Sequence, residues 1–473
     1  MATMAKKEKS RFKMPTAYTV LILIILVIAA VSLIIADPMI KKATIPNVVM
    51  SPILGFIDAI DVSLFVLVLG GFLGVINRTG VLYKGIASVV KKLNGKELLL
   101  IPILMIIFSI GGTTYGMAEE TIAFYSLIVA TMMAAGFDSL VGAAVILLGA
   151  GAGVLGSTII PFAISVAVDT AKAAGVETNQ GTIILLGAIL WITTLAICIF
   201  YVMSYAKKVH NNLSVSILSK QELDDAHRAF HSDKKDENTT LNSRGKIVLS
   251  LFAFSFLIMI LSLIPWENFG VTIFDSWTDW LTGESFGNWY FRELAAWFFI
   301  ISIICGLVYR LKEKEIVDSF IAGAGDMIGV ALVIAVSRGI YVIMSDTNLN
   351  SFILTHSANA LNGMNAVPFT IMSYIIYIGL SFLIPSTSGL ATGSIGIFAP
   401  LAQSLNLSPY VMIMIFAAAC GLVNLITPTS GVVMGGLAIS KIDFSSWVKF
   451  SLKIVATIFV VNIIVLSVAM LVL

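Results

Sequence analysis

Long apolar runs separated by short polar stretches organise the whole chain. Residues 20–36, 247–265 and 454–473 each approach the ~20 residues that an α-helix needs to cross a bilayer core. Further apolar stretches cover 61–77, 97–110, 116–135, 139–173, 182–206, 326–345, 367–384, 389–403 and 410–440, and 46–58 reads as amphipathic. The pattern predicts an all-α polytopic membrane protein.

Loop charge orients these spans, because cytoplasmic loops collect Lys and Arg. The N-terminal segment 1–16 carries Lys6, Lys7, Lys9, Arg11 and Lys13 and is expected inside. No small-residue cleavage site follows the first run, so 17–36 is expected to stay as a span rather than leave as a signal peptide. The polar loop 207–246, with eight Lys and Arg from Lys207 to Lys246, is expected inside. Residues 266–291 have no Lys or Arg but contain Glu267, Asp275, Asp279 and Glu284, which places them outside. Trp277, Trp280 and Trp289 in this loop suit the outer interface. Lys96 and Lys207 must both lie inside, as must Lys314 and Lys441. Four crossings satisfy each pair, and so does a re-entrant hairpin followed by two crossings. With hairpins at 97–135 and 367–403 the chain has nine spans and an outer C-terminus.

Composition narrows the class. The chain is 58% apolar and 12% charged, against about half and a quarter in soluble domains. A net charge of +2, with the basic residues in short loops, gives no footing for nucleic acid. Cys198, Cys305 and Cys420 lack paired spacing and read as small core residues. Motifs for metal hydrolysis, nucleophilic serine or phosphate cradling are missing, so no enzyme, cofactor, metal or nucleotide-driven pump is expected.

The chain also repeats. Thr113-Thr114-Tyr115-Gly116 is similar to Ser386-Thr387-Ser388-Gly389. Gly156-Ser157-Thr158 lies 43 residues beyond the first turn (Thr114 to Ser157), as Asn424, Thr427, Thr429 and Ser430 follow the second (Thr387 to Ser430, again 43). By the charge argument one copy enters from the cytoplasm and the other from outside, an inverted repeat. The first would span 17–206, with scaffold spans 17–77 and a transport part 97–206. The loop 207–246 and a connecting span 247–265 lead to the second, 292–473, with scaffold spans 292–345 and a transport part 367–473. Helices interrupted by Gly, Pro and hydroxyl residues leave backbone groups unpaired, which lipid does not tolerate but a polar cavity does. Their half-helix ends then point partial charges at a substrate near the midplane. Gly149, Gly151 and Gly153 read instead as close helix packing.

Glu119 and Glu120 follow the first turn. An intramembrane carboxylate costs at least about 2.5–3.5 kcal/mol on insertion scales, so such a pair points to a cationic substrate or a proton. Neighbouring positions on a helix differ by about 100°, so one glutamate can face a cavity while the other contacts the scaffold. Arg338 either binds a substrate carboxylate or neutralises a glutamate. Asp138, Asp326 and Asp346 fall at span ends and are expected in water, and His356 on an outer amphipathic segment.

At these residues the chain resembles the YfcC/DcuC-like family of the ion transporter superfamily. The resemblance covers nearly the whole chain and starts at Phe12-Lys13-Met14-Pro15-Thr16-Ala17-Tyr18-Thr19-Val20. It is strongest at Gly111-Gly112-Thr113-Thr114-Tyr115-Gly116-Met117-Ala118-Glu119-Glu120-Thr121 and at Ile426-Thr427-Pro428-Thr429-Ser430-Gly431. It implies a homodimer in the cell (inner) membrane, with a fixed scaffold and a mobile domain of hairpins and broken helices that moves like an elevator. One branch resembles ArcD-type arginine/ornithine antiporters, another carries C4-dicarboxylates. The glutamate pair favours a basic amino acid, and the single Arg338 is poor provision for a dicarboxylate. The expected protein exchanges arginine for ornithine, with the alternative of an ion-coupled carboxylate carrier on the same fold.

Overall fold

Caps and glycines, not only apolar length, decide where the helices stop. The computed structural model describes residues 17–82, 84–85, 97–158, 160–230, 242–264, 266–275 and 277–473. The basic segment 1–16, Lys91, Lys92, Lys96 and the 231–241 part of the polar loop lie outside the described residues. The chain runs through α1 (Ala17–Ile34), α2 (Ile45–Asp58) and α3 (Ile60–Thr79). It continues through α4 (Leu100–Tyr115), α5 (Ile122–Ala134), α6 (Ser139–Gly156), α7 (Val166–Ala173) and α8 (Gln180–Asn211). Then come α9 (Lys220–Phe230), α10 (Ser243–Leu263), α11 (Phe291–Tyr309), α12 (Glu313–Asp326), α13 (Ile328–Asp346) and α14 (Leu349–Leu361). The last five are α15 (Ala366–Leu383), α16 (Thr387–Ser404), α17 (Pro409–Asn424), α18 (Gly431–Ile439) and α19 (Phe444–Val472).

Among the described residues nine helices are long and apolar enough to cross a membrane. The number equals the expected span count, but the membership differs. α4 and α15, expected as hairpin arms, reach crossing length, whereas α1 and α17 are shorter apolar helices. Charge parity constrains how often the chain changes side, not which helix does so.

Two sets of helices pack separately. In the first, α2 lies on α13, and α3 lies on α11 and α12. Glycine makes both crossings possible. A Cβ on Gly55 of α2 would stand 2.3 Å from the Gly339 nitrogen of α13. A Cβ on Gly323 of α12 would stand 2.2 Å from the Gly70 carbonyl oxygen of α3. Backbones can come this close only where no side chain intervenes. The α12 helix was not anticipated: Glu313, Lys314, Glu315 and Asp318 hide its apolar face, and the sequence there reads as a loop. The Arg78 guanidinium bonds Glu315 at 2.7 Å and holds that carboxyl below the usual range.

In the second set α4 packs on α6, α6 on α8 and α17, and α15 on α17 and α19. Gly153 of α6 meets α4 so closely that a Cβ would stand 2.1 Å from the Ser109 carbonyl oxygen. The helix succession of α4–α8 recurs in α15–α19. The ends of α4 and α6 lie 41 residues apart, as do the ends of α15 and α17 (Tyr115, Gly156; Leu383, Asn424).

Two expectations change, and the cysteine reading agrees with the structure. Asp138 is not solvated but 2% exposed, because it caps α6 by accepting the Val141 N–H at 3.0 Å. Tyr205 and Ser216 each donate a hydroxyl to its other oxygen at 2.6 Å. Burial raises its carboxyl above the usual range, and these donors oppose the shift. Trp277 and Trp280 are exposed, but Trp289 is buried and donates its Nε1–H to the Glu284 carbonyl at 2.8 Å. Cys198, Cys305 and Cys420 are free and buried.

Candidate functional site

Four chain breaks approach one another where the two sets of helices meet. The first follows α4. Gly116 has φ +81°, and a Cβ there would stand 2.8 Å from Ile160 Cγ2, so glycine is required twice over. Met117 and Ala118 then lead into a short 3-10 turn, Glu119–Thr121. The second break follows α6. Ser157 ends that helix at φ 33° and donates its hydroxyl to the Val154 carbonyl. A π-helical turn, Pro161–Ser165, leads on to α7. The third break is Ile384-Pro385-Ser386, with Ser386 capping α16 by accepting the Gly389 N–H at 3.2 Å. The fourth runs from Leu425 to Ser430, which caps α18 by accepting the Val433 N–H at 3.4 Å.

A cavity of about 230 Å³ opens between these breaks and helices α3, α6, α11 and α13. Glu119, Arg338, Ser386, Thr387, Ser388, Asn424, Thr429 and Ser430, all singled out from sequence, line it. The other candidates do not. Glu120 turns into the protein, with 3% of its surface exposed. Thr113 and Thr158 bind each other: the Thr158 N–H donates to the Thr113 carbonyl at 3.1 Å, and its hydroxyl to the same oxygen at 2.8 Å. They tie the first break to the second. The Thr114 hydroxyl returns to the Ile110 carbonyl of its own helix at 2.7 Å. Tyr115 and Ser157 are buried away from the cavity, and Gly156 is pressed against Trp191. Thr427 shares a hydrogen bond of 2.7 Å with Thr429, and the Gly389 N–H is taken by Ser386 within the first turn of α16.

The physical reason is register. Thr113–Tyr115 form the last turn of α4, before its break, whereas Thr387–Gly389 form the first turn of α16, after its break. The two hydroxyl strings are therefore not equivalent in space. One presents the carbonyl end of a helix, the other open N–H groups. Thr387, Ser388, Gly431 and Val432 are the first residues of α16 and α18, and the opening N–H groups of a helix have no intrahelical acceptor. All four line the cavity.

Sequence reading missed Thr121, Ser337, Tyr290 and Phe291, which also line the cavity. Ser337 adjoins Arg338, and Thr121 closes the acidic string, so adjacency could have flagged both. Tyr290 merely begins an apolar run and carried no signal. The charged lining residues are Glu119 and Arg338, an anion and a cation in one chamber. Arg338 Nε lies 3.8 Å from Asp58 Oδ2 at the end of α2, so its ion-pair contact is with the first helix set rather than with a glutamate. Two helix N-termini in the lining add positive potential. Such a chamber can hold a small zwitterion, its carboxylate toward N–H groups and guanidinium and its cation toward Glu119.

A second cavity, about 580 Å³, is lined by Tyr18, Asp326, Val330, Met434, Gly435 and Lys441 among others. Ile334 and Gly431 line the first cavity, and Val330 and Gly435 line the second. The α13–α18 contact through these residues therefore divides the two. Among the described residues no hydrogen bond joins α13 to α18.

Many crossing helices, broken chain at the interior and a cavity at the breaks define a multi-pass membrane transporter. The chain belongs to the family of the C4-dicarboxylate anaerobic carrier DcuC, whose model matches residues 38–471. It is 33% identical over 427 residues to an uncharacterized protein of Haemophilus influenzae, covering 90% of this chain and 78% of that one. It is 27% identical over 415 residues to YfcC of Escherichia coli, provisionally named a basic amino acid antiporter, covering 85% and 76%. Among solved structures, MtrF of Neisseria gonorrhoeae, described within a class of antimetabolite efflux pumps, aligns over 97% of this chain and 96% of its own. The identity is 16% and the TM-score 0.45.

Proposed function

We propose that the protein exchanges basic amino acids, arginine for ornithine, across the cell membrane. The observation that carries this reading is Glu119 and Arg338 facing one cavity beside two free helix N-termini. Glu119 holds the side-chain cation. Arg338, with the N–H groups of Thr387, Ser388, Gly431 and Val432, holds the α-carboxylate, while Ser386, Asn424, Thr429 and Ser430 supply further polar contacts. The name given to YfcC supports the substrate class. Exchange of two equally charged substrates needs no coupled ion.

The helices move as two bodies in an elevator-like cycle, with α4–α8 and α15–α19 sliding past a scaffold of α1–α3 and α10–α13. The contact between α13 and α18 suits this. It is glycine against Ile334 and Val330, with no polar bond to break. The two halves are inverted repeats, as the reciprocal α2–α13 and α12–α3 crossings support. The N-terminus and α9 face the cytoplasm, the C-terminus faces outside, and the protein is a homodimer.

A second reading keeps the cavity and changes the cargo to a C4-dicarboxylate, which the family's description favours. Arg338 would then be its anchor and Glu119 an obstacle. Counterflow in proteoliposomes separates the two. Labelled arginine should accumulate in vesicles loaded with ornithine and not in vesicles loaded with succinate. The reverse pattern would replace the proposal with the second reading, and flux that does not saturate with substrate would indicate a channel.

A further inference from the structure

Glu120 is the buried acid that the exchange just described does not use. Its side chain is 3% exposed, and its carboxylate accepts the Ala118 N–H at 3.1 Å. Among the described residues no Lys, Arg or His nitrogen lies within 4.0 Å of it. The hydroxyl of Tyr115, 1% exposed and within electrostatic reach of Glu120, has no hydrogen-bond partner. A charged carboxylate without a counter-ion is costly in such a place, and adding a proton removes both the charge and the need for one.

We infer that Glu120 is a proton-binding site, and that its proton is exchanged against the cationic substrate held by Glu119. The second clause rests on the function proposed above; the first does not. The coupling is electrostatic. With the cavity empty, two neighbouring carboxylates repel, and a proton on Glu120 relieves the repulsion. A cation bound at Glu119 relieves it instead, so substrate and proton compete for one unit of negative charge. The proton enters from water on one side as the carboxylate becomes a carboxylic acid, and leaves on the other as the substrate cation takes its place.

The other ionisable groups around this turn leave the role to Glu120. Its own turn contributes Glu119, α4 contributes Tyr115, and α5 contributes Tyr125. Arg338 reaches the turn from α13 and pairs with Asp58. The packed helix α18 contains no ionisable residue. Asp61 and Arg78, at the two ends of α3, are paired with Arg292 and Glu315.

Two measurements test the inference on the full-length protein. In the infrared difference spectrum of wild type against Glu120→Gln at neutral pH, the variant should lack a protonated-carboxyl carbonyl band. Loss of carboxylate bands instead would overturn the site whatever the cargo is. In proteoliposomes with an acidic lumen and alkaline medium, the wild type should accumulate labelled arginine while the lumen turns alkaline. Glu120→Gln should lose this pH-driven uptake to the level of empty liposomes and still show arginine–ornithine counterflow. Glu120→Asp, which keeps a titratable group, should restore pH-driven uptake. If Glu120→Gln accumulates arginine as the wild type does, the coupling is wrong. If the wild type shows no arginine counterflow at all, the cargo assignment has failed and the infrared result alone decides the site.

Discussion

Glu119→Gln should raise the arginine concentration for half-maximal exchange at least about 30-fold, a loss of about 2 kcal/mol. The glutamine keeps the shape but removes the charge that faces the cavity. Truncating one partner of a desolvated charge pair costs about 2–5 kcal/mol, far more than loss of a surface pair, because the other charge is left uncompensated. The sign separates the two cargo readings. If the substrate were a dicarboxylate, removing this negative charge would tighten binding, and succinate exchange would improve in the same variant. Concentration-dependent counterflow in proteoliposomes measures both. An unchanged arginine dependence would place the cation site elsewhere.

The second large effect concerns the packing of α12 on α3. Gly323→Val should destabilise the protein by about 3 kcal/mol or more, near the upper end of overpacking costs. The new Cβ would meet the Gly70 carbonyl at 2.2 Å and the Gly74 Cα at 2.9 Å. These are backbone atoms and cannot rotate away, so α12 must leave α3. Gly325→Val, two residues along the same helix with nothing within 4 Å, is the matched control and should change stability by no more than about 0.5 kcal/mol. Thermal unfolding in detergent, followed by loss of the monodisperse peak, would report the difference. Equal behaviour of the two variants would show that the glycine crossing does not hold α12 on α3.

The sequence made the membrane class plain because bilayer thickness leaves a signal of about 20 residues in the chain itself. It was less informative wherever a helix is short or two-faced. α12 has charges along one face and a glycine seam along the other, so neither hydropathy nor loop charge marks it. α4 and α15 show the same limit from the other side, since loop charge fixes parity and not identity.

At the site, residue type was legible and direction was not. The hydroxyl strings at Thr113 and Ser386 look alike, but one ends a helix and the other begins one. That difference depends on where Gly116 and Pro385 stop the backbone, a shift of register that no motif records. Glu119 and Glu120 are chemically identical neighbours, and only the 3-10 turn that holds them decides which meets the cavity. Thr113 and Thr158 were well chosen as a pair across two breaks, but they bond each other and have no hydroxyl proton to spare for a ligand.

Direct binding to the purified protein tests the central claim most simply. Labelled arginine should bind saturably, and unlabelled ornithine should displace it while succinate at the same concentration leaves it in place. Displacement by succinate, or no saturable arginine binding, would contradict a cavity built for a basic amino acid.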